Sequence, residues 1–207
     1  MLLYRPVGLN ELRLLYQTGM RAFPPRLPEQ PIFYPVTNQG YAEKIARDWN
    51  TRSETHAGFV TRFSVEDAYA PRFPRRVVGS REHEELWVPA EELPELNARL
   101  EGLIEVIGAF FGAGFVGDVP ALGPLAGKDA RAQLAALAAK DASGGDLADE
   151  VAASPEAIFL NALYWEHPGF TAEGVGDDER ARVLASLRRS GAASGRERLR
   201  LGVAVEG

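Results

Sequence analysis

The chain has 207 residues, 45% apolar and 25% charged, the values of an ordinary globular protein long enough to bury a substantial core. It has no cysteine, which excludes disulfides, thiolate nucleophiles and cysteine-ligated metal, and its three histidines, His56, His83 and His167, stand too far apart to suggest a metal site. A formal net charge of −6 argues against a broad nucleic-acid-binding face, because neutralising phosphates takes clustered Lys and Arg, and leaves room only for a local basic cleft.

The start, Met1-Leu2-Leu3-Tyr4-Arg5-Pro6, lacks the basic region and following apolar stretch of a secretory signal. No uncharged apolar run approaches the roughly 20 residues that cross a bilayer, so the cytoplasm is the expected compartment and no membrane partner is expected. Leu2 to Arg5 reads as a short strand, and Asn10 as the cap of a helix through Gln17 that Gly19 stops. Met20 to Gln30 is a loop that holds Arg21 and Arg26 among Pro24, Pro25 and Pro28, with Pro31 just beyond. Proline limits that loop's freedom, so a binding site there would be partly pre-organised.

Pro31-Ile32-Phe33-Tyr34-Pro35-Val36 is an apolar strand that runs into a helix signal: Thr37-Asn38 as cap, then apolar residues at helical spacing from Tyr41 to Trp49. Gly58 to Val65 alternates as a strand, Arg75 to Val78 is another, and Glu84-Glu85-Leu86-Trp87-Val88-Pro89 is a third that carries two carboxylates where a strand is normally apolar. Pro89 to Leu100 reads as helical and Leu103 to Phe110 as the last, strongly apolar strand. Residues 1–112 are therefore expected to form an α+β domain with a mixed or antiparallel sheet and flanking helices.

Gly and Pro crowd residues 113–127, the expected linker. A mainly helical extension, 128–207, follows: a helix from Lys128 to Asp141, a break at Ser143-Gly144-Gly145, a helix started by Ser154-Pro155-Glu156, and a helix capped by Asp177 running to about Arg189 with Gly191 as its stop. Leu199 to Val205 alternates with period two as a terminal strand. Short and Ala-rich, these helices are expected to pack on the first domain's sheet or on a second subunit, and the strand to extend a sheet edge.

Three segments, Arg21 to Val36, Ile45-Ala46-Arg47-Asp48-Trp49-Asn50 and Trp87-Val88-Pro89-Ala90-Glu91-Glu92-Leu93, resemble a family of small bacterial proteins labelled ADP-ribosylation/crystallin J-type. The resemblance covers about half the chain. The strands around Leu3-Tyr4-Arg5, Ile32-Phe33-Tyr34 and Glu85-Leu86-Trp87-Val88 also look like the three signature strands of the ADP-ribosyltransferase fold, whose members cleave the nicotinamide–ribose bond of NAD. That resemblance implies NAD as substrate, Glu85 as the catalytic acid and Arg5 as the anchoring residue. Together with the residues' own chemistry, it makes Tyr4, Arg21, Arg26, Phe33, Tyr34 and Tyr41 the expected nucleotide-binding residues. It implies no metal, and leaves the acceptor of ADP-ribose unnamed.

The residues suit such chemistry. A carboxylate on a rigid strand can stabilise an oxocarbenium-like state through the ribose 2′-hydroxyl, as in glycoside hydrolysis. By strand alternation Glu84 faces away from Glu85 and is an alternative to it; only one of Phe33 and Tyr34 lines a cleft, the other being core, and Tyr41 offers a second ring contact. Arg5, Arg21 and Arg26 suit a pyrophosphate. His83 reads as a surface histidine. Two other classes stay open: a non-catalytic module that binds a nucleotide or a protein, in a toxin–antitoxin or phage-defence setting, and an ADP-ribosyl hydrolase. The hydrolases of that label are all-helical with clustered magnesium-binding acids, and a sheet-rich first half fits them poorly.

Overall fold

A computed structural model describes residues 1–79, 83–170 and 174–193. The chain divides into two compact units, Met1–Ala113 and Gly114–Gly207. The architecture is α+β, with antiparallel sheet pairing and helices, and a helical second half. The terminal strand expected at Leu199 to Val205 lies outside the described residues. No helix among the described residues is long and apolar enough to cross a membrane.

In chain order the first unit comprises β1 (Leu2–Gly8), α1 (Leu9–Gln17), β2 (Ile32–Phe33), α2 (Gln39–Asp48), β3 (Ala57–Val65), β4 (Arg75–Val77), β5 (Glu84–Leu86), β6 (Val88–Pro89), α3 (Leu93–Ala98) and β7 (Leu100–Phe111). β3 lies between β1 and β7, β4 pairs with β5, and β2 with β6, all antiparallel. Two single bridges, Tyr4 to Val36 and Val36 to Glu85, join these ladders. Ile32–Pro89, Phe33–Val88 and Val36–Glu85 share one register, so residues 32–36 run beside 85–89 as one interrupted strand pair. Leu86 N donates to Pro35 O at 2.8 Å within the interruption.

Period-two alternation sorts the side chains onto two faces. Leu3, Arg5 and Val7 of β1 are buried on one, together with Phe33, Phe59, Phe63, Leu86 and Val88. On the other, Val36, Tyr41, Ala42, Ala46 and Val60 make a core cluster with Tyr4, Ile45, Ile107 and Phe110 packed against it. α2 sits very close to β3 there: a Cβ at Gly58 would fall 2.1 Å from the Ala46 carbonyl oxygen, so only glycine fits. Asn38 caps α2 as the sequence suggests, its side chain accepting from Tyr41 N.

Several element ends differ from expectation. α1 begins at Leu9, and its N-cap Gly8 offers no side chain; Asn10 lies inside the helix, where its amide oxygen accepts from Arg13 at 3.1 Å. Gly19, at φ +66, does end the helix, through Gly19 N to Tyr16 O and Met20 N to Leu15 O. The helix expected from Pro89 is preceded by the strand residues of β6 and a 3₁₀ turn, Ala90–Glu92, and spans only Leu93–Ala98. Ala90 N donates to Pro31 O, which prolongs the extended pairing past Pro89.

The second unit holds α4 (Ala130–Ala142), α5 (Ala148–Ala153), α6 (Pro155–Trp165) and α7 (Asp177–Ala193). Every residue of α6 from Ala157 to Trp165 is buried, the mark of a central helix, and α4 and α5 flank it while α7 lies against α4 and α5. The helices thus find partners in one another. Residues 113–129 contain no helix or strand, yet they are tied in: Asp118 N donates to Asn161 Oδ1 at 2.7 Å, and Asp118 O accepts from Gln133 and Asn161. Ser154 precedes α6 with Pro155 at its first position, but the Ser154 hydroxyl makes no cap hydrogen bond and is buried without a partner among the described residues. Asp177 is the first helical residue of α7 rather than its cap, and Gly191 lies within α7 instead of stopping it.

Candidate functional site

The bridges place Tyr4, Val36 and Glu85 in one row across three neighbouring strand segments. Because bridged residues share a face, Glu85 points to the side of the sheet that carries α2. Asn38 fixes the first turn of α2, which delivers Tyr41 over the same row: the Tyr41 hydroxyl donates to Glu85 Oε1 at 3.1 Å. Two residues beyond Glu85 the chain returns to this face, and Trp87 Nε1 donates to Glu85 Oε2 at 3.2 Å. A half-buried carboxylate is thereby held by one donor on each oxygen, with lone pairs left for a further hydrogen bond.

Aromatic groups surround it. Tyr34 meets Trp87 edge to face with centroids 5.2 Å apart, and the Arg76 guanidinium lies 4.4 Å over the Trp87 ring. His83 stacks on Tyr41 with centroids 4.0 Å apart and planes 12° from parallel. Burial, then the hydrogen bond and charge of Glu85, push the Tyr41 hydroxyl up to about 12, so it remains a proton donor throughout the physiological range.

Arg5 takes a different place. Strand alternation turns it away from the row of Tyr4 and Glu85, and its guanidinium lies 4.5 Å over the ring of Phe33. Its Nε and Nη2 donate to Glu11 Oε1 and Oε2 at 2.6 and 3.0 Å, a bidentate pair that satisfies a charge only 7% exposed. Phe33 is fully buried, in contact with the Phe23 ring at 4.8 Å, so it belongs to the core and presents no stacking wall. Tyr34 is the member of that pair that reaches the Glu85 face. Glu84 is engaged by Arg75 at 3.6 Å.

Arg26 is half-buried on the proline-rich loop, with Nη2 donating to Gln30 at 2.6 Å and Nε buried without a hydrogen-bond partner among the described residues. Its pKa is lowered, first by burial and then by the charge of Arg5, while Glu11 and Tyr34 oppose that shift. The loop is anchored at Phe23, whose N–H and C=O both pair with the Asn97 side chain at 2.8 and 2.9 Å. Arg21 is exposed. Tyr4 is half-buried in the α2 cluster. Among the described residues no group of three or more His, Asp or Glu lies in a metal-holding arrangement.

The residues that sequence reasoning passed over are Trp87 and Glu11, and His83, expected at the surface, is half-buried and stacked on Tyr41. Trp87 was within reach, since a residue two positions from Glu85 on a strand shares its face. Comparison with known proteins adds nothing: no family model, no curated protein and no solved structure matches this chain.

Proposed function

We propose that the chain binds NAD and cleaves its nicotinamide–ribose bond in the manner of an ADP-ribosyltransferase, passing ADP-ribose to an acceptor or to water. The observation that carries the proposal is the Glu85 carboxylate, held on a rigid strand by Tyr41 and Trp87 and enclosed by aromatic rings. In the proposed reaction the C1′–N bond breaks and its electron pair leaves with nicotinamide. Glu85 accepts a hydrogen bond from the ribose 2′-hydroxyl and stabilises the oxocarbenium-like state. The acceptor oxygen then bonds to C1′ and releases its proton to water.

In this scheme Tyr41 is the platform for the nicotinamide ring, Tyr34 and Trp87 are the neighbouring wall, and Arg26 of the proline-rich loop contributes its charge to holding the phosphates. Arg5, already neutralised by Glu11, braces strand β1 and the carbonyl of Tyr34, 3.4 Å from its Nη1, in place of the anchoring role that the resemblance implies. Calorimetric titration with NAD and a nicotinamide-release assay test the proposal together. Binding with release that Glu85→Gln removes is the expected result; binding without release would make the chain a nucleotide-binding module, and neither would reject the nucleotide altogether.

A further inference from the structure

We infer that the ring face of Tyr41 covered by His83 is a subsite for a planar, cationic heteroaromatic ring, and that His83 is its resident occupant, displaced when such a ligand binds. That this ligand is the pyridinium of NAD rests on the function proposed above; the occupancy itself follows from geometry. One side of Tyr41 packs on Val36, Ala42, Ala46 and Val60, and the residue is only 7% exposed. The imidazole of His83 covers the other side at a single stacking distance, 4.0 Å, which leaves no room for a third ring between them.

Tyr41 has little freedom to turn away. Its backbone N–H is bound to Asn38 and its hydroxyl to Glu85. His83 is held more lightly. Its Nδ1 lies 3.1 Å from Val78 O, and because a carbonyl only accepts, Nδ1 carries the proton in that contact. Its carbonyl oxygen accepts from Val78 N at 2.9 Å in the β4–β5 hairpin, a backbone bond that survives rotation of the side chain. Among the described residues, displacement therefore costs one stack and one side-chain hydrogen bond.

The preference for a cation follows from what surrounds the seat. A tyrosine face is electronegative and the Glu85 carboxylate adjoins the hydroxyl, so a positively charged ring gains from both. The same geometry makes the imidazole a natural substitute, being itself a planar nitrogen heterocycle.

The test titrates nicotinamide and its ring-N-methylated cation against the full chain, wild type and His83→Ala, by calorimetry and by proton NMR. Uncovering Tyr41 is expected to tighten binding of the cation roughly two- to tenfold, the range of an aromatic pair, and to tighten neutral nicotinamide less. Tyr41→Leu is expected to remove binding of both. In the wild type, which carries no risk of misfolding, the imidazole proton resonances of His83 should shift as the cation saturates. Unchanged or weaker binding by His83→Ala, no binding of either probe, or His83 resonances unmoved at saturation would each overturn the inference. Probe binding that tightens while NAD itself is neither bound nor cleaved would leave the subsite standing and remove the proposed function. Glu85-dependent NAD cleavage with no effect at His83 would do the reverse.

Discussion

Replacing Gly58 by alanine tests the joint that carries the site. An alanine Cβ there would sit 2.1 Å from the Ala46 carbonyl oxygen, 2.7 Å from its carbon and 2.9 Å from its Cα. A carbon–oxygen contact is comfortable only from about 3.3 Å, so α2 and β3 must part by more than about 1 Å. Both partners are main chain, and no rotamer change relieves the clash. Overpacking of this kind costs about 1–3 kcal/mol, and the upper end, about 3 kcal/mol, applies where backbone must move. Since α2 also carries Tyr41, the same shift withdraws its hydroxyl from Glu85. Urea denaturation followed by circular dichroism and by the fluorescence of Trp49 and Trp87 reads the loss, together with a melting temperature lower by roughly 10 °C. Gly102→Ala is the comparison: at φ +83 with nothing within 4 Å, it meets only backbone strain of about 1 kcal/mol. A Gly58→Ala protein within about 0.5 kcal/mol of wild type, or less affected than Gly102→Ala, would refute the reasoning.

Glu11→Gln should destabilise the first unit by about 3 kcal/mol, because it strips the buried Arg5 guanidinium of its bidentate partner, and chemical denaturation measures this. Asn161→Leu should cost about 3 kcal/mol in the second unit, where the Asn161 amide serves Asp118 N, Asp118 O and Gln133; faster amide exchange at Asp118 is the local readout. The raised pKa of Tyr41 also predicts an alkaline limit. The folded state holds the phenolic proton more tightly than the unfolded one, so this contribution is complete below about pH 10 and is lost as pH rises toward 12. Melting curves of wild type and Tyr41→Phe should therefore converge over that window, and curves that stay parallel through it would contradict the assignment.

Much of the first unit was legible because its strands alternate and its key cap is a simple one. Asn38 ahead of Tyr41 predicts both the start of α2 and the delivery of Tyr41 to the sheet, and the structure agrees. Opposite faces for Glu84 and Glu85 followed from parity alone. The two aromatics of β2 could be separated only in part: alternation says that one is core, and it takes the row from Tyr4 through Val36 to Glu85 to make that one Phe33. Arg5 was misplaced for a related reason, since an arginine on a strand reads as functional until a partner such as Glu11, six residues on and in the next helix, is seen to neutralise it. Helix ends were misread where a polar residue lay near a boundary without occupying it. Asn10 and Gly191 both fall inside helices: α1 already begins at Leu9, and α7 continues to Ala193. The expectation for the helix at Ser154 was packing on the first domain's sheet or on a second subunit, whereas α6 is buried from Ala157 to Trp165 with α4 and α5 beside it, and the Asn161–Gln133–Asp118 network joins residues far apart in sequence and leaves no local pattern.

The most direct measurement is single-turnover release of nicotinamide from NAD by the wild-type chain and by Glu85→Gln, which keeps the size of the side chain and removes its charge. If Glu85 stabilises the developing positive charge, the wild type releases nicotinamide and the substitution slows release by roughly a hundredfold or more while NAD binding persists. Equal rates in the two proteins, or no release from the wild type with NAD bound at saturation, would contradict it.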